Sequence, residues 1–371
     1  MDQLSMGQLK NIPSREYSPD GVSRRRLLTL MSAGAAALID TGFAGAKRPG
    51  FPKGAIIRTL DKDLSPSSLN GAILFHEHLS IDLPPQNPRP ANAPPLRPPP
   101  TLDVDLIINQ VKAAQKDGIT CLVDGGHPDM GRDLDALKRI GQATGMHIVA
   151  SGGYYMGRTY PLDLASKSED QIAEDLAHEA AANRYGAFGE IGENPNAPMS
   201  DAEQKVFRAI GKAHLRTNIP IFTHNAYGTG PNVPKEAGLH QLDVFESVGV
   251  KPQHVVIGHT CCLDDPEADI IRQIAKRGAW VGFDRMNTVE VFVPDEKRVK
   301  MLVKFLDAGY VNQLLLSSDF TGNRTLEGPM YGRTKTVFAP KLIQAGVKEE
   351  TVHTILYDNP RRFLAFTPKK V

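Results

Sequence analysis

Side chains of the kinds that bind metal ions stand at the ends of short apolar runs spread across the chain. The runs are GAILFHEH, GAFGE, IPIFTH, HVVIGH and QLLLSSD, and the six candidate ligands are His76, His78, Glu190, His224, His259 and Asp319. Such runs are typical of strands buried on both faces. In a (β/α)8 barrel the carboxyl ends of parallel strands meet at one mouth, where residues distant in sequence converge. The pattern therefore predicts a metal centre at a barrel mouth.

The rest of the chain alternates in the same way. Three further apolar runs, ITCLVD, HIVASG and AWVGF, provide strands two, three and seven. Helical patterns separate the strands, at residues 104–116, 132–144, 171–185, 202–217, 239–248, 266–277, 295–308 and 335–345. Eight strands alternating with eight helices predict a (β/α)8 TIM barrel. The segment AIIRTL predicts a short hairpin under the barrel floor, and DNPRRFLAF predicts a turn and a final helix.

Composition and charge restrict the kind of partner. The chain has 371 residues, 41% of them hydrophobic, which is enough for one large α/β domain. Its 43 basic and 42 acidic residues nearly cancel, so charge gives no reason to expect nucleic acid or an acidic membrane as a partner. We expect a small-molecule substrate instead.

The three cysteines do not predict a disulfide framework. Cys121 lies in the apolar run ITCLVD and is expected in the core. Cys261 and Cys262 follow His259 closely, and a plain loop role is favoured there over an extra soft ligand or a redox role.

The first 46 residues resemble a twin-arginine export signal. SRRRLL at residues 23–28 opens an apolar stretch to Ile39, and Ala44-Gly45-Ala46 is a small-residue cleavage site. The sequence thus predicts a signal peptide at 1–46, a single barrel domain at 47–371, and a periplasmic or secreted protein. The alternative is an unstructured tail with a chance basic cluster.

A proline-rich stretch follows the first barrel strand. Nine of the 17 residues from 84 to 100 are proline, which excludes regular helix or sheet and favours extended polyproline conformation. A semi-rigid wall over the site and a solvated connector both remain open as interpretations.

The candidate ligands are too many for one tetrahedral ion. His76 and His78 are two residues apart on one strand, so both imidazoles are expected to point into the barrel. Four histidines and two carboxylates suit two divalent ions about 3.5 to 4 Å apart, bridged by one carboxylate. Glu190, flanked by Gly189 and Gly192, is the expected bridge. Asp319 is expected to bind the first ion and to accept a proton from a bridging water, whose pKa two ions would lower towards neutrality.

The strings FHEHL, GEIG, IFTHN, VVIGHT, GFDR, PDEKR, LLLSSDF and DNPRRFL, in this order, resemble the phosphotriesterase family of the amidohydrolase superfamily. The resemblance covers the whole proposed barrel. It implies that His76, His78 and Asp319 hold a more buried ion, that His224 and His259 hold a more exposed one, and that the metal is zinc. It also implies hydrolysis of phosphotriesters, lactones or other esters, and a homodimer.

One position departs from the best-known members, which bridge their metals with a carboxylated lysine on strand four. GAFGEIG contains no lysine, and Glu190 takes that place. Metal loading is therefore expected to be independent of carbon dioxide.

Two residues resemble those of the lactonase branch. Tyr155 in SGGYY corresponds to a tyrosine near the exposed metal, able to hydrogen-bond an oxyanion, and Arg285 in GFDRM to an arginine of the seventh loop. The alternatives are a packed aromatic for Tyr155 and a surface ion pair with Asp284 for Arg285. His127 matches no family ligand.

The sequence therefore predicts an exported binuclear hydrolase in which hydroxide between two metals attacks a lactone or carboxylic ester. Asp319, Tyr155 and Arg285 are the expected catalytic residues. Organophosphate triester hydrolysis is the main alternative. A metal-dependent deoxyribonuclease of the same superfamily fits the charge and the HEH and SSDF strings less well, and a non-catalytic zinc-binding protein would not need the proton acceptor Asp319.

Overall fold

The computed structural model describes residues 50–83, 100–195, 197–230, 232–286, 293–321 and 331–370. The predicted signal at 1–46 and nearly all of the proline-rich stretch, residues 84–99, lie outside the described residues. These described residues belong to one compact unit. Within the described part, no helix combines the length and apolar character needed to cross a membrane.

A short antiparallel hairpin precedes the barrel. Its strands are β1 (Ile57–Arg58) and β2 (Asp63–Leu64), with Ile57 opposite Leu64. The side chain of Ile57 is fully buried among apolar residues of the barrel interior. This confirms the predicted hairpin and its place under the barrel.

Eight parallel strands follow, and each pairs with the next along the chain. They are β3 (Ala72–Glu77), β4 (Ile119–Asp124), β5 (His147–Gly152), β6 (Ala187–Gly192), β7 (Ile221–His224), β8 (Val255–Ile257), β9 (Trp280–Phe283) and β10 (Leu314–Leu316). Residues following β10 hydrogen-bond to β3: Asp319 N–H donates to the His76 carbonyl (3.1 Å), and His78 N–H to the Phe320 carbonyl (3.0 Å). The predicted (β/α)8 TIM barrel is confirmed.

Helices connect the strands. They are α1 (Val104–Lys116), α2 (Leu134–Thr144), α3 (Glu169–Ala182), α4 (Asp201–Thr217), α5 (Ala237–Ser247), α6 (Asp269–Lys276), α7 (Asp295–Asp307), α8 (Ala339–Gln344), α9 (Glu349–His353) and α10 (Asn359–Leu364). Ser168 and Ser200 begin α3 and α4 with reciprocal capping boxes. The predicted final helix corresponds to α10.

The predicted helix bounds differ from the structure by up to three residues, and one predicted helix is divided. Helix α6 begins at Asp269 and not at 266, because the Asp265 carboxylate accepts the backbone N–H groups of Asp269 and Ile270 and so caps the helix there. The helix predicted at 335–345 is split: Thr334–Phe338 forms a wider π-helical turn before α8.

The floor of the barrel is apolar. Phe75, Trp280 and Phe363 pack there edge-on, with ring centroids 6.1 to 6.3 Å apart. Cys121 lies fully buried in the same cluster, as predicted. The lower barrel is therefore filled by side chains, and polar groups are concentrated above it.

Candidate metal centre

All six predicted ligands converge at the carboxyl ends of the barrel strands. Ligand atoms of His76, His78, Glu190 and Asp319 lie within 4.8 Å of one another, and so do those of Glu190, His224 and His259. Glu190 belongs to both groups. We call them the first and the second ligand group.

Backbone irregularities place these side chains. Between Leu74 and Glu77, β3 has one residue more than the facing part of β4, and β6 has one more than β7 between Phe188 and Ile191. Such bulges re-aim side chains next to active sites. They let Phe75 and His76, although adjacent, both contact the barrel interior: Phe75 lies in the floor cluster, and His76 lies in the first ligand group.

Two ligands sit in left-handed backbone conformation. His259 has φ +57° and Asp319 has φ +48°. This region costs an ordinary residue about 1 to 3 kcal/mol and is concentrated at functional sites. The sharp turn after β8 and after β10 directs both side chains over the barrel mouth.

Glu190 is the centre of the cluster. Its Oε2 closely contacts His76 Nε2, and its Oε1 lies 3.1 Å from His224 Nδ1. His259 Nε2 lies 2.7 Å from His224 Nδ1 and 3.8 Å from Glu190 Oε2. Asp319 Oδ1 lies 3.2 Å from His78 Nε2. One carboxylate thus faces imidazoles of both groups.

Charge within the cluster favours ionised carboxylates. Burial opposes charge on Glu190, but His224 and His76 lower its pKa well below the ordinary value. Burial also opposes charge on Asp319, yet the hydrogen bond to His78 and the charge of His76 lower its pKa. The pKa of His76 is raised well above its ordinary value, because Glu190 and Asp284 outweigh its burial. The cluster therefore presents ionised oxygen acceptors among imidazoles.

These residues fit a pair of divalent ions. The buried atoms His76 Nε2 and Glu190 Oε2 crowd against each other and have no other polar partner, so a bound cation would provide one for both. Imidazole nitrogen and carboxylate oxygen are donors suited to zinc and related divalent metals. His224 retains more exposure than the fully buried His76, in keeping with one inner and one outer position.

Tyr155 and Arg285 both lie at the cluster. The Tyr155 hydroxyl is 3.3 Å from His224 Nε2, and its ring meets the imidazole edge-on at 4.9 Å. Burial and the charge of Glu190 raise the Tyr155 pKa well above its ordinary value, so the hydroxyl keeps its proton.

Arg285 Nε lies 3.3 Å from Asp319 Oδ2. The alternative of a surface pair between Arg285 and Asp284 was wrong, because Asp284 is fully buried and its carboxylate bonds two histidines.

Asp284 contacts two of the candidate ligands and was not selected by sequence reasoning. Its Oδ2 lies 2.8 Å from His76 Nδ1, and its Oδ1 lies 3.0 Å from His259 Nδ1 and accepts the His259 backbone N–H at 2.7 Å. The signal was available, since Asp284 directly follows the apolar run AWVGF, as the six ligands follow theirs.

Glu77 was also missed, because strand alternation directs it away from its histidine neighbours. It is fully buried and accepts three hydrogen bonds, from the Ser317 hydroxyl (2.8 Å), Ser318 N–H (2.7 Å) and Phe320 N–H (2.9 Å). Burial raises its pKa to about 8, while these donors act in the opposite direction. Glu77 therefore joins β3 to the loop that carries Asp319.

The remaining candidates lie apart from both ligand groups. His127 is buried, with Nδ1 3.3 Å from Asp129 Oδ1. Cys261 and Cys262 are buried with their sulfurs 3.9 Å apart, and Cys261 Sγ accepts the Arg285 backbone N–H. Among the described residues, neither cysteine is part of a convergent metal-ligand group.

The sequence profile of the phosphotriesterase family matches residues 57–364. The chain belongs to the phosphotriesterase family. The predicted resemblance is confirmed, and the match spans the barrel together with both ligand groups.

Relatives within this family support the assignment. The phosphotriesterase homology protein of Escherichia coli (strain K12) is 31% identical over 303 residues, covering 79% of this chain and 97% of the relative. The aryldialkylphosphatase of Saccharolobus solfataricus is 29% identical over 280 residues, covering 70% and 84%. An N-acetyltaurine hydrolase of Xenopus tropicalis is 25% identical over 282 residues, covering 71% and 78%. This chain is accordingly a phosphotriesterase-family hydrolase.

A solved structure gives the same result. The phosphotriesterase homology protein from Escherichia coli, complexed with phosphate in its active site, superposes with a TM-score of 0.68 at 28% identity. The superposition covers 79% of this chain and 98% of that one. The family is metal-dependent, and the buried histidine and carboxylate groups of this chain suit metal binding.

Proposed function

We propose that this hydrolase uses two divalent ions, preferentially zinc, to cleave a lactone or another carboxylic ester. The observation that carries the proposal is Glu190, which is shared by two convergent ligand groups. A site for a single ion needs only one such group. His76, His78 and Asp319 would hold the more buried ion, His224 and His259 the more exposed one, and Glu190 both.

When bound, the two ions would lower the pKa of a water molecule and polarise the oxygen under attack. The chain supplies the proton acceptor. Asp319 is held ionised, with Oδ1 towards His78 and Oδ2 towards Arg285. It is placed to take the proton from the attacking water and to release it to the departing alkoxide.

Tyr155 and Arg285 support an acyl substrate. The Tyr155 hydroxyl is protonated and lies beside His224, so it can donate a hydrogen bond to the oxyanion of a tetrahedral intermediate. Arg285 contributes a fixed positive charge on the Asp319 side of the same cluster. Donors aimed at developing negative charge are a strong contribution to ester hydrolysis.

Organophosphate triester hydrolysis is the second candidate. One relative is named aryldialkylphosphatase, and the superposed structure holds phosphate in its active site. The same proton acceptor and oxyanion donor would serve attack at a phosphoryl centre. We expect lower kcat/KM for such substrates than for lactones or carboxylic esters.

A hydrolysis panel separates the candidates. Zinc-loaded wild type and Tyr155→Phe would be assayed on a lactone, an aryl ester, a dialkyl aryl phosphate and N-acetyltaurine. Our proposal expects the highest kcat/KM on the lactone or aryl ester, with a loss of about a hundredfold or more in the variant. A higher value on the phosphate would favour the second candidate. Two bound ions without any turnover would favour the non-catalytic zinc-binding protein.

We also propose that residues 1–46 direct export by the twin-arginine route and that residues 47–371 form the exported domain. The support is the Arg24-Arg25 pair, the apolar stretch and the small-residue site in the sequence. Cell fractionation of the wild type and of the double variant Arg24→Lys, Arg25→Lys tests this, since the variant should remain inside the cell. The homodimer implied by the resemblance stays a prediction.

A further inference from the structure

One buried carboxylate contacts a histidine from each ligand group. Asp284 follows β9 directly and is fully buried. Its Oδ2 is 2.8 Å from Nδ1 of His76, a member of the first ligand group. Its Oδ1 is 3.0 Å from Nδ1 of His259, a member of the second. The carboxylate is therefore shared by the two groups on the side of the imidazoles that faces away from Glu190.

The position of this carboxylate is closely defined. Its Oδ1 also accepts the backbone N–H of His259 at 2.7 Å. A Cβ atom at Gly258 would lie 2.9 Å from Asp284 Oδ2 and 2.0 Å from the Thr223 carbonyl oxygen, so the backbone leaves no room for a side chain there. Asp284 is thus held from two sides, by a backbone donor and by close packing.

The direction of these hydrogen bonds fixes the proton on each ring. An ionised carboxylate only accepts, so each Nδ1 must carry a hydrogen. A neutral imidazole has one N–H, and its other nitrogen then offers a lone pair. His76 Nε2 faces Glu190, and His259 Nε2 faces His224 Nδ1. A cation that binds at Nε2 takes the place of any hydrogen there, while the hydrogen on Nδ1 stays with Asp284.

We propose that Asp284 is a positioning residue that sets the ligand state of both metal positions at once. The inference rests on the proposed binuclear site and adds a device that couples its two halves. A carboxylate behind a ligating imidazole fixes its tautomer and orientation, and its removal typically costs about 10- to 100-fold in metal affinity. Here a single side chain hydrogen-bonds one candidate ligand of each ion.

The two halves should respond unequally to Asp284→Asn. An amide keeps one acceptor oxygen and presents an NH2 group at the other corner. The oxygen belongs at the Oδ1 position, where His259 supplies two donors, the backbone N–H and Nδ1. The NH2 group then faces His76 Nδ1 and forces that ring into the Nε2–H tautomer, which cannot ligate through Nε2. The first ligand group should bind its ion more weakly, and the second should keep its affinity.

The test has two parts that need no substrate. Ring-nitrogen NMR of metal-free, 15N-histidine-labelled protein reports which nitrogen carries the hydrogen. Wild type should show a hydrogen on Nδ1 of both His76 and His259, whether or not Nε2 also carries one, and Asp284→Asn should remove it from His76 alone. Zinc titration should then show one affinity reduced about 10- to 100-fold and the other little changed.

Asp265→Asn is the matched control. Asp265 is a buried aspartate that accepts backbone N–H groups at the start of α6, and no imidazole of the described residues bonds its carboxylate. Its substitution should leave both ring tautomers and both zinc affinities unchanged.

Several outcomes would overturn the inference. An Nε2–H tautomer on either His76 or His259 of the wild type does so without any variant, which matters if Asp284→Asn fails to fold. Unchanged tautomers and affinities in a folded Asp284→Asn do so as well. The proposed function fails separately, if wild type binds fewer than two ions while both rings carry hydrogen on Nδ1.

Discussion

The floor and the mouth of the barrel are built from the same eight strands, and they are built differently. At the floor, Phe75, Trp280 and Phe363 pack edge-on with little or no exposure. At the mouth, two strands are bulged, His259 and Asp319 have positive φ, and buried polar atoms lack hydrogen-bond partners. The floor is packed like a stable apolar core. The mouth has irregular backbone and unpaired polar atoms where the candidate ligands lie.

Stability and function are located in different regions of the barrel. Apolar burial contributes about 25 cal/mol for each Å² removed from water, so the floor stabilises the fold. Left-handed ligands and unpaired buried groups cost free energy, and such costs are concentrated at functional sites. We therefore expect substitutions at the floor to change unfolding and substitutions at the mouth to change activity and metal binding.

The largest effect is expected from Asp319→Asn. The amide is a poor proton acceptor, and general-base catalysis by a positioned side chain contributes about a hundred- to ten-thousandfold. The zinc-loaded variant should lose kcat by that factor on the best substrate of the panel. Its metal content would be measured alongside, to separate loss of the base from loss of an ion. Near wild-type kcat with two ions bound would remove Asp319 from its role.

The converse experiment is Phe363→Ala at the floor. Removing a buried phenylalanine side chain typically costs about 3 to 5 kcal/mol, from lost burial and the cavity left behind. Denaturant unfolding of the metal-free protein should show a loss of this size. The folded variant should retain wild-type zinc content and kcat. Loss of zinc from folded protein would mean that the floor and the mouth are not separable.

A pH experiment tests a buried side chain outside the mouth, His214 in α4. Burial lowers the pKa of this histidine from 6.5 to about 4, and its Nδ1 lies 2.7 Å from the Ile219 carbonyl oxygen. Because the folded pKa is depressed, the unfolded chain binds the extra proton between these values. The stability it contributes is present above pH 6.5 and falls as pH drops towards 4, by about 3 kcal/mol in all.

His214→Asn should flatten this part of the stability profile while retaining a donor to Ile219. The measurement is urea unfolding at a series of pH values. His178→Asn, at an exposed histidine of α3, is the control and should leave the slope as in wild type. An unchanged slope in His214→Asn would assign the acid sensitivity to other groups.

The smallest effect is expected from Glu77→Gln, at the junction of the two regions. An amide NH2 would face one of the N–H donors that Glu77 now accepts, at a cost of about 1 to 3 kcal/mol. Because those donors belong to the loop that carries Asp319, zinc retention in the first ligand group should also fall.

Glu203→Gln provides the comparison. Glu203 is a buried carboxylate that accepts backbone N–H groups of Asn194 and Ser200, away from the ligand groups. It should lose a similar amount of stability and keep its zinc. Equal zinc retention in the two variants would mean that Glu77 has only a structural role.

Sequence reasoning predicted the floor and most of the helices, because apolar periodicity records burial directly. Helix α1 has the predicted bounds, since Asp103 caps its start and Gly118, with φ +79°, follows its end. The convergence of the six candidate ligands was also predicted, because each follows an apolar run. Apolar periodicity cannot show where an extra residue in a strand shifts the alternation of its side chains.

The bulges in β3 and β6 are such shifts. Strict alternation would place Phe75 and His76 on opposite faces of β3. In the structure both side chains lie inside the barrel, Phe75 in the floor cluster and His76 among the candidate ligands. Asp284 was passed over for a different reason. Its partners, His76 and His259, are 208 and 25 residues away, and their hydrogen bonds exist only once the barrel closes.

The most direct measurement is the zinc content of the purified chain after reconstitution in bicarbonate-free buffer, for wild type and Glu190→Gln. We predict two ions per chain in wild type without bicarbonate, because Glu190 itself is the bridge, and fewer in Glu190→Gln. One ion or none in wild type, or a second ion that appears only when bicarbonate is added, would contradict the account.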